Sequence, residues 1–194
     1  MYTDKKLLSF LPSKHKNILA KIINKKLIEI VRFFEEDLEN FLIHEKLPAV
    51  NFFSLNVGLT KLVFESDLSY NFSIYGEQLS IILLPEQDLE EEFYSDGQWY
   101  QLSQAKCLST SDLRNCLEQT CIDVRIWTLK EDFESGEAKE VAVSYLLANG
   151  SEIFYCIYLH EDLDADYLLL KPDVDLTKAA SCFSLLLGEY IKPK

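Results

Sequence analysis

Glycine and proline are scarce in this sequence, six and five among 194 residues. With so few glycines there is no G-x-G-x-x-G or P-loop to cradle a phosphate. G-x-S-x-G and H-E-x-x-H are absent too, which removes the local signatures of a hydrolase nucleophile elbow and a zinc-protease helix. No Cys-x-x-Cys pair occurs. The five cysteines, Cys107, Cys116, Cys121, Cys156 and Cys182, are an odd set inside apolar segments, where a free thiol behaves as a small hydrophobe. The set reads as reduced and points to the cytosol. The apolar run in the first twelve residues is shorter than a signal peptide requires, and no stretch approaches the roughly 20 apolar residues of a membrane-spanning helix.

Positive charge is also in short supply. Lysine and arginine total 19 against 32 acidic residues, a formal charge of −13. Residues 1–50 hold nine basic and seven acidic groups, net +2, so residues 51–194, with ten and twenty-five, carry net −15. A surface of that sign repels phosphate backbones and argues against nucleic acid as a partner. It attracts basic proteins and speeds their approach.

What is plentiful is apolar surface: 48% hydrophobic and 12% aromatic residues, enough for one compact domain over residues 1–194 with a substantial core. After Pro12-Ser13, the positions Leu19, Ile23, Leu27, Ile30, Phe34, Leu38 and Phe41 step by three and four, which predicts one long helix from Lys14 to Lys46. Its lysines lie near the start and its acids near the end, against the macrodipole. An antiparallel second copy would set the basic half against the acidic half, which points to a homodimer through this N-terminal helix.

Phe53 to Leu59, Leu68 to Tyr75 and Leu79 to Leu84 alternate or run apolar between turn residues, and predict an antiparallel meander with the long helix on one face. Glu86 to Gln104 reads as a long loop. Ser109 and Asp112 open a short middle helix, and Ile122 to Leu129 alternate as a strand. Asn149-Gly150, between Glu140–Ala148 and Ser151–Tyr158, predicts a hairpin with a two-residue type I′ loop, in which facing residues have numbers summing to 299. Both faces of this hairpin are apolar, which predicts cover on both sides by the terminal helices. A further run covers Ala165 to Lys171. Asp175 can cap a C-terminal helix bearing Leu176, Ala179, Ala180, Phe183 and Leu187, closed by Gly188. The fold class predicted is α+β: a long N-terminal helix, an antiparallel sheet of about six to seven strands, a short middle helix and a C-terminal helix.

Asp162, Asp164 and Asp166, with Asp173 at the twelfth position, imitate a calcium loop, but the sixth position is Tyr167 where such a loop needs glycine. The stretch therefore reads as an acidic turn, with no metal and no cofactor. His15, His44 and His160 fall in separate elements and assemble no catalytic set. Without a motif for chemistry, the expectation is a non-enzymatic protein-binding domain, with an enzyme whose catalytic carboxylates leave no local motif as the second alternative. Two acidic segments are its candidate contacts: Glu90, Glu91, Glu92 and Asp96 with Trp99 and Tyr100, and Glu161, Asp162, Asp164 and Asp166. A basic partner suits them, as in a bacterial immunity-type inhibitor of a basic toxin. In the order helix, three strands, helix, strands, helix, together with its low pI, the chain resembles the type III secretion chaperones. That resemblance implies an effector segment as the alternative partner.

Overall fold

The computed structural model describes residues 8–34, 40, 44, 60–75, 80–84, 100–103, 111–130, 139–157, 166–169 and 174–192. The fold is mostly β, in two antiparallel sheets, and this overturns the α+β expectation. The first sheet has the order β4-β3-β2-β1-β5, from β1 (Leu27–Phe34), β2 (Thr60–Phe64), β3 (Leu68–Tyr75), β4 (Ser80–Leu84) and β5 (Tyr100–Ser103). The second has the order β11-β10-β6-β7-β8-β9, from β6 (Cys121–Leu129), β7 (Glu140–Leu147), β8 (Glu152–Ile157), β9 (Asp166–Leu169), β10 (Ala180–Ser184) and β11 (Glu189–Ile191). The α-helices α1 (Lys16–Leu19), α2 (Ser111–Arg114) and α3 (Val174–Ala179) are all short. Among the described residues no helix is long and apolar enough to cross a membrane.

The long N-terminal helix does not form. α1 passes into a 3-10 turn at Ala20–Ile22, Ile23 turns extended, and Asn24 takes a left-handed φ of 69° that a helix cannot continue through. The next residues, rich in Ile, Val and Phe, enter β1 between β2 and β5. Three stripe positions are nonetheless buried, Leu19, Leu27 and Ile30, and Ile23 packs half-buried against the core. The stripe's spacing fitted a helix, but β-branched and aromatic side chains at 28–34 favour a pleated, paired surface. The dimer through that helix loses its element with it.

The meander is present as β2-β3-β4, although the expected first strand at Phe53 to Leu59 lies outside the described residues. Ser66 and Asp67 turn the chain between β2 and β3 at φ 69° and 56°. The second sheet, rather than a helix, packs on this meander. Phe72 meets Tyr145 at 6.0 Å and Tyr155 at 5.6 Å between ring centroids, Phe64 meets Tyr145 at 5.9 Å, and the Tyr155 hydroxyl donates to the Phe72 carbonyl at 3.2 Å. Aromatic pairs of this kind contribute roughly 0.5–1.5 kcal/mol each beyond area burial. Residues 24–27 bond to residues 118–121, so the strands that begin the two sheets also meet at a corner.

The C-terminal helix stops early. After α3 the chain alternates buried and half-buried through β10, which pairs with β6, and Gly188 at φ 71° closes a turn instead of a helix. The middle helix is a single turn that buries Leu113, with Cys116 buried in the turn that follows it. Part of the expected long loop is strand, since Tyr100–Ser103 pair with β1.

The Asn149-Gly150 hairpin forms with a different loop. Leu147 N donates to Ser151 O at 2.8 Å, Gly150 N donates to Leu147 O at 2.9 Å, and Gly150 sits at φ 84°. This is a three-residue loop ending in a left-handed glycine. Ala142 faces Cys156 and Tyr145 faces Ile153, so facing numbers sum to 298 rather than 299. Ala148 N explains the extra loop residue, because it donates to Thr120 O at 2.8 Å instead of pairing across the hairpin. The faces of β8 are thereby exchanged: Ile153 and Tyr155 join Val143 and Tyr145 toward the first sheet, while Glu152 and Phe154 join Leu146 and Ser144 on the far face. Tyr145 and Phe154 are both buried, one on each face.

Candidate functional site

On the far face of the second sheet, β6 places Asp123, Arg125 and Trp127 in line, since alternate residues of a strand share a face. Opposite them stand Ser144 and Ala142 of β7, and Ser184 and Cys182 of β10. A chain of polar bonds crosses four strands here. Trp127 Nε1 donates to Ser144 Oγ at 2.9 Å, and Ser144 Oγ donates to Glu152 Oε1 at 2.7 Å. Arg125 Nη1 reaches both Glu152 oxygens at 3.0 Å, and Arg125 Nε donates to Asp123 Oδ2 at 3.0 Å. Ser184 Oγ donates to the same Asp123 oxygen at 2.8 Å.

The end of this ladder grips a turn. Asp123 Oδ1 accepts from Leu186 N at 3.0 Å and Ser184 Oγ accepts from Leu187 N at 3.1 Å. The turn 185–188 between β10 and β11 is therefore held by a buried carboxylate and a buried hydroxyl. Two of its side chains nevertheless face water, Leu186 at 57% exposed and Leu187 at 60%, and with Tyr190 of β11 at 51% they are the most exposed large apolar residues among those described. Ile122, beside Asp123, is exposed as well.

The ladder has the electrostatics of a brace rather than of an acid–base pair. Burial alone would lower the Arg125 pKa, but Glu152 and then Asp123 outweigh it, raising it and keeping the guanidinium charged. Burial pushes the neighbouring Cys182 thiol up to about 12, with Arg125 pulling it down and Glu152 and Asp123 pushing it further up. Cys121 is likewise raised to about 12 and Cys116 to about 11, chiefly by burial. These thiols stay protonated near neutral pH, and a protonated thiol is a poor nucleophile. His15 Nε2 pairs with Ser9 O at 3.0 Å. Among the described residues no three His, Cys, Asp or Glu side chains are grouped to hold a metal ion.

Of the contacts expected from sequence, Glu90, Glu91, Glu92, Asp96, Trp99, Glu161, Asp162 and Asp164 lie outside the described residues. Tyr100 and Asp166 are placed by backbone only, Tyr100 in β5 opposite Phe34 and Asp166 in β9 opposite Ile157. Their side chains lie outside what is described. Asp123, Arg125, Ser144, Glu152 and Ser184 escaped the sequence reading. One signal was available: an Asp and an Arg two apart on a strand must share a face, and on a strand this apolar they need partners. Comparison with known protein families, with curated proteins and with solved structures finds no match to this chain.

Proposed function

We propose that this chain is a non-enzymatic protein-binding domain that captures a basic protein by its acidic surface, in the manner of an immunity-type inhibitor of a basic toxin. The observation that carries this reading is the charge imbalance, −15 over residues 51–194 within a chain of −13. Such a field steers basic partners and raises their association rate. The thiol chemistry adds support, because Cys116, Cys121 and Cys182 are buried and protonated rather than poised for attack. The alternative of a secretion chaperone draws on the low pI and on an element order headed by a long helix. With β1 in that helix's place, the element-order part of that support is gone.

The test is capture on the full chain at low and high salt, followed by charge reversal. A high-pI protein retained at about 0.05 M salt, released at about 0.5 M and lost when Glu90, Glu91 and Glu92 become Lys, or when Asp162, Asp164 and Asp166 do, supports the reading. A partner held through an extended apolar segment and indifferent to salt overturns it, as does turnover of a substrate in an activity screen.

A further inference from the structure

We infer that the turn 185–188, with Tyr190 beside it, is the apolar anchor of the binding surface, and that it takes a basic amphipathic segment of a partner protein. This rests on the reading of an acidic protein-binding domain and adds to it the place and the chemistry of contact. Two leucines projecting into water at 57% and 60% present apolar area that the core does not bury. A loop kept only to join two strands is usually polar and mobile.

This one is neither polar nor loose. Leu186 N and Leu187 N are tied to Asp123 Oδ1 and Ser184 Oγ, Gly188 N donates to Ser184 O at 2.9 Å, and Leu185 N donates to Val124 O at 2.9 Å. Each backbone amide from 185 to 188 is thus bonded to the sheet or to the ladder. A surface fixed before binding loses little entropy on contact, which is where rigid anchors gain affinity. Tyr190, in β11 just beyond the turn, packs its ring edge-on against Phe183 at 5.2 Å.

Charge selects the occupant. The exposed Glu189 follows Gly188 directly, and the chain as a whole carries −13. A second copy of this chain would bring −13 against −13. A segment with apolar residues on one face and Lys or Arg on its flanks meets both demands: leucine contact at the centre and Glu189 beside it, within an acidic field. Asp123 is then a positioning residue, acting on the partner through the turn.

The probe is a displayed library of random peptides selected on the full chain. Enriched sequences should combine apolar residues with Lys or Arg, and a synthetic peptide of that sequence should lose at least about ten-fold in affinity for the Leu186→Ser, Leu187→Ser double variant. Both side chains are exposed, so the variant should keep the wild-type melting temperature. Asp123→Asn should speed hydrogen exchange at the Leu186 amide and weaken the peptide while leaving its salt dependence unchanged. Basic peptides that bind the double variant as tightly as the wild type overturn the anchor but leave the acidic capture standing. Enrichment of peptides without Lys or Arg, or no enrichment at all, overturns both.

Discussion

Glu140 is a buried carboxylate at the start of β7, and its surroundings make stability depend on pH. Its Oε2 accepts from Ser13 N at 2.8 Å, its own amide donates to Ser80 Oγ at 3.3 Å, and its Oε1 has no hydrogen-bond partner among the described residues. Burial raises its pKa; the Ser13 bonds and then Lys16 and Lys14 act in the opposite direction without cancelling it. The folded protein therefore holds this proton to higher pH than the unfolded chain does. Stability from this group is fullest below the ordinary carboxylate value and falls as pH rises through the raised one. Glu140→Gln cannot ionise, so thermal melts between about pH 4.5 and 8 should show it gaining on the wild type as pH rises. Parallel profiles would remove Glu140 as the cause. Asp123 belongs to the same scale. Asp123→Ala leaves Leu186 N and Ser184 Oγ without their acceptor and Arg125 with Glu152 alone, which should cost roughly 3 kcal/mol, the lower part of the range for breaking a buried ion pair. Arg125 is still 19% exposed at its side chain, which holds the figure to that lower part. Denaturant unfolding measures it directly.

Elements show which parts of the fold can be read from sequence. β3, β4, β6 and the β7–β8 hairpin are legible because alternation or a continuous apolar run lies between strong turn residues, and each of those signals is local. β1 and β10 are not, because Leu27, Ile30 and Phe34, or Leu176, Ala180 and Phe183, fit a helical stripe as well as a strand. The decision falls to β-sheet partners distant in sequence: Thr60–Phe64 and Tyr100–Ser103 for β1, Cys121–Leu129 for β10. The ladder is hidden for a related reason. With a two-residue loop Glu152 would stand on the face of Tyr145, inside the core; the Ala148 to Thr120 bond shifts the register by one and delivers Glu152 to Arg125. Gly150 is fixed in this loop by its φ of 84° rather than by crowding, since nothing lies within 4 Å of a Cβ built there. Gly150→Ala should therefore destabilise by about 1 kcal/mol through backbone strain alone. A substitution with no effect on unfolding would mean that the loop relaxes to another turn.

At the scale of the molecule, two sheets share one continuous set of buried side chains, from Leu19 and Leu27 through Phe72 and Tyr145 to Leu176. A core of this extent leaves the surface free to be strongly acidic, and the charge of −13 is then a property available for association. Long-range attraction of this kind is screened by salt, whereas the leucine contact at the turn 185–188 is not. The two contributions therefore separate in kinetics: salt should act mainly on association, and Leu186→Ser with Leu187→Ser mainly on dissociation. The most direct measurement is the association rate constant of the captured basic protein with the full chain, followed from about 0.05 to 0.5 M salt. Capture by charge predicts a fall of about ten-fold or more over that range. A rate that does not change with salt would contradict it.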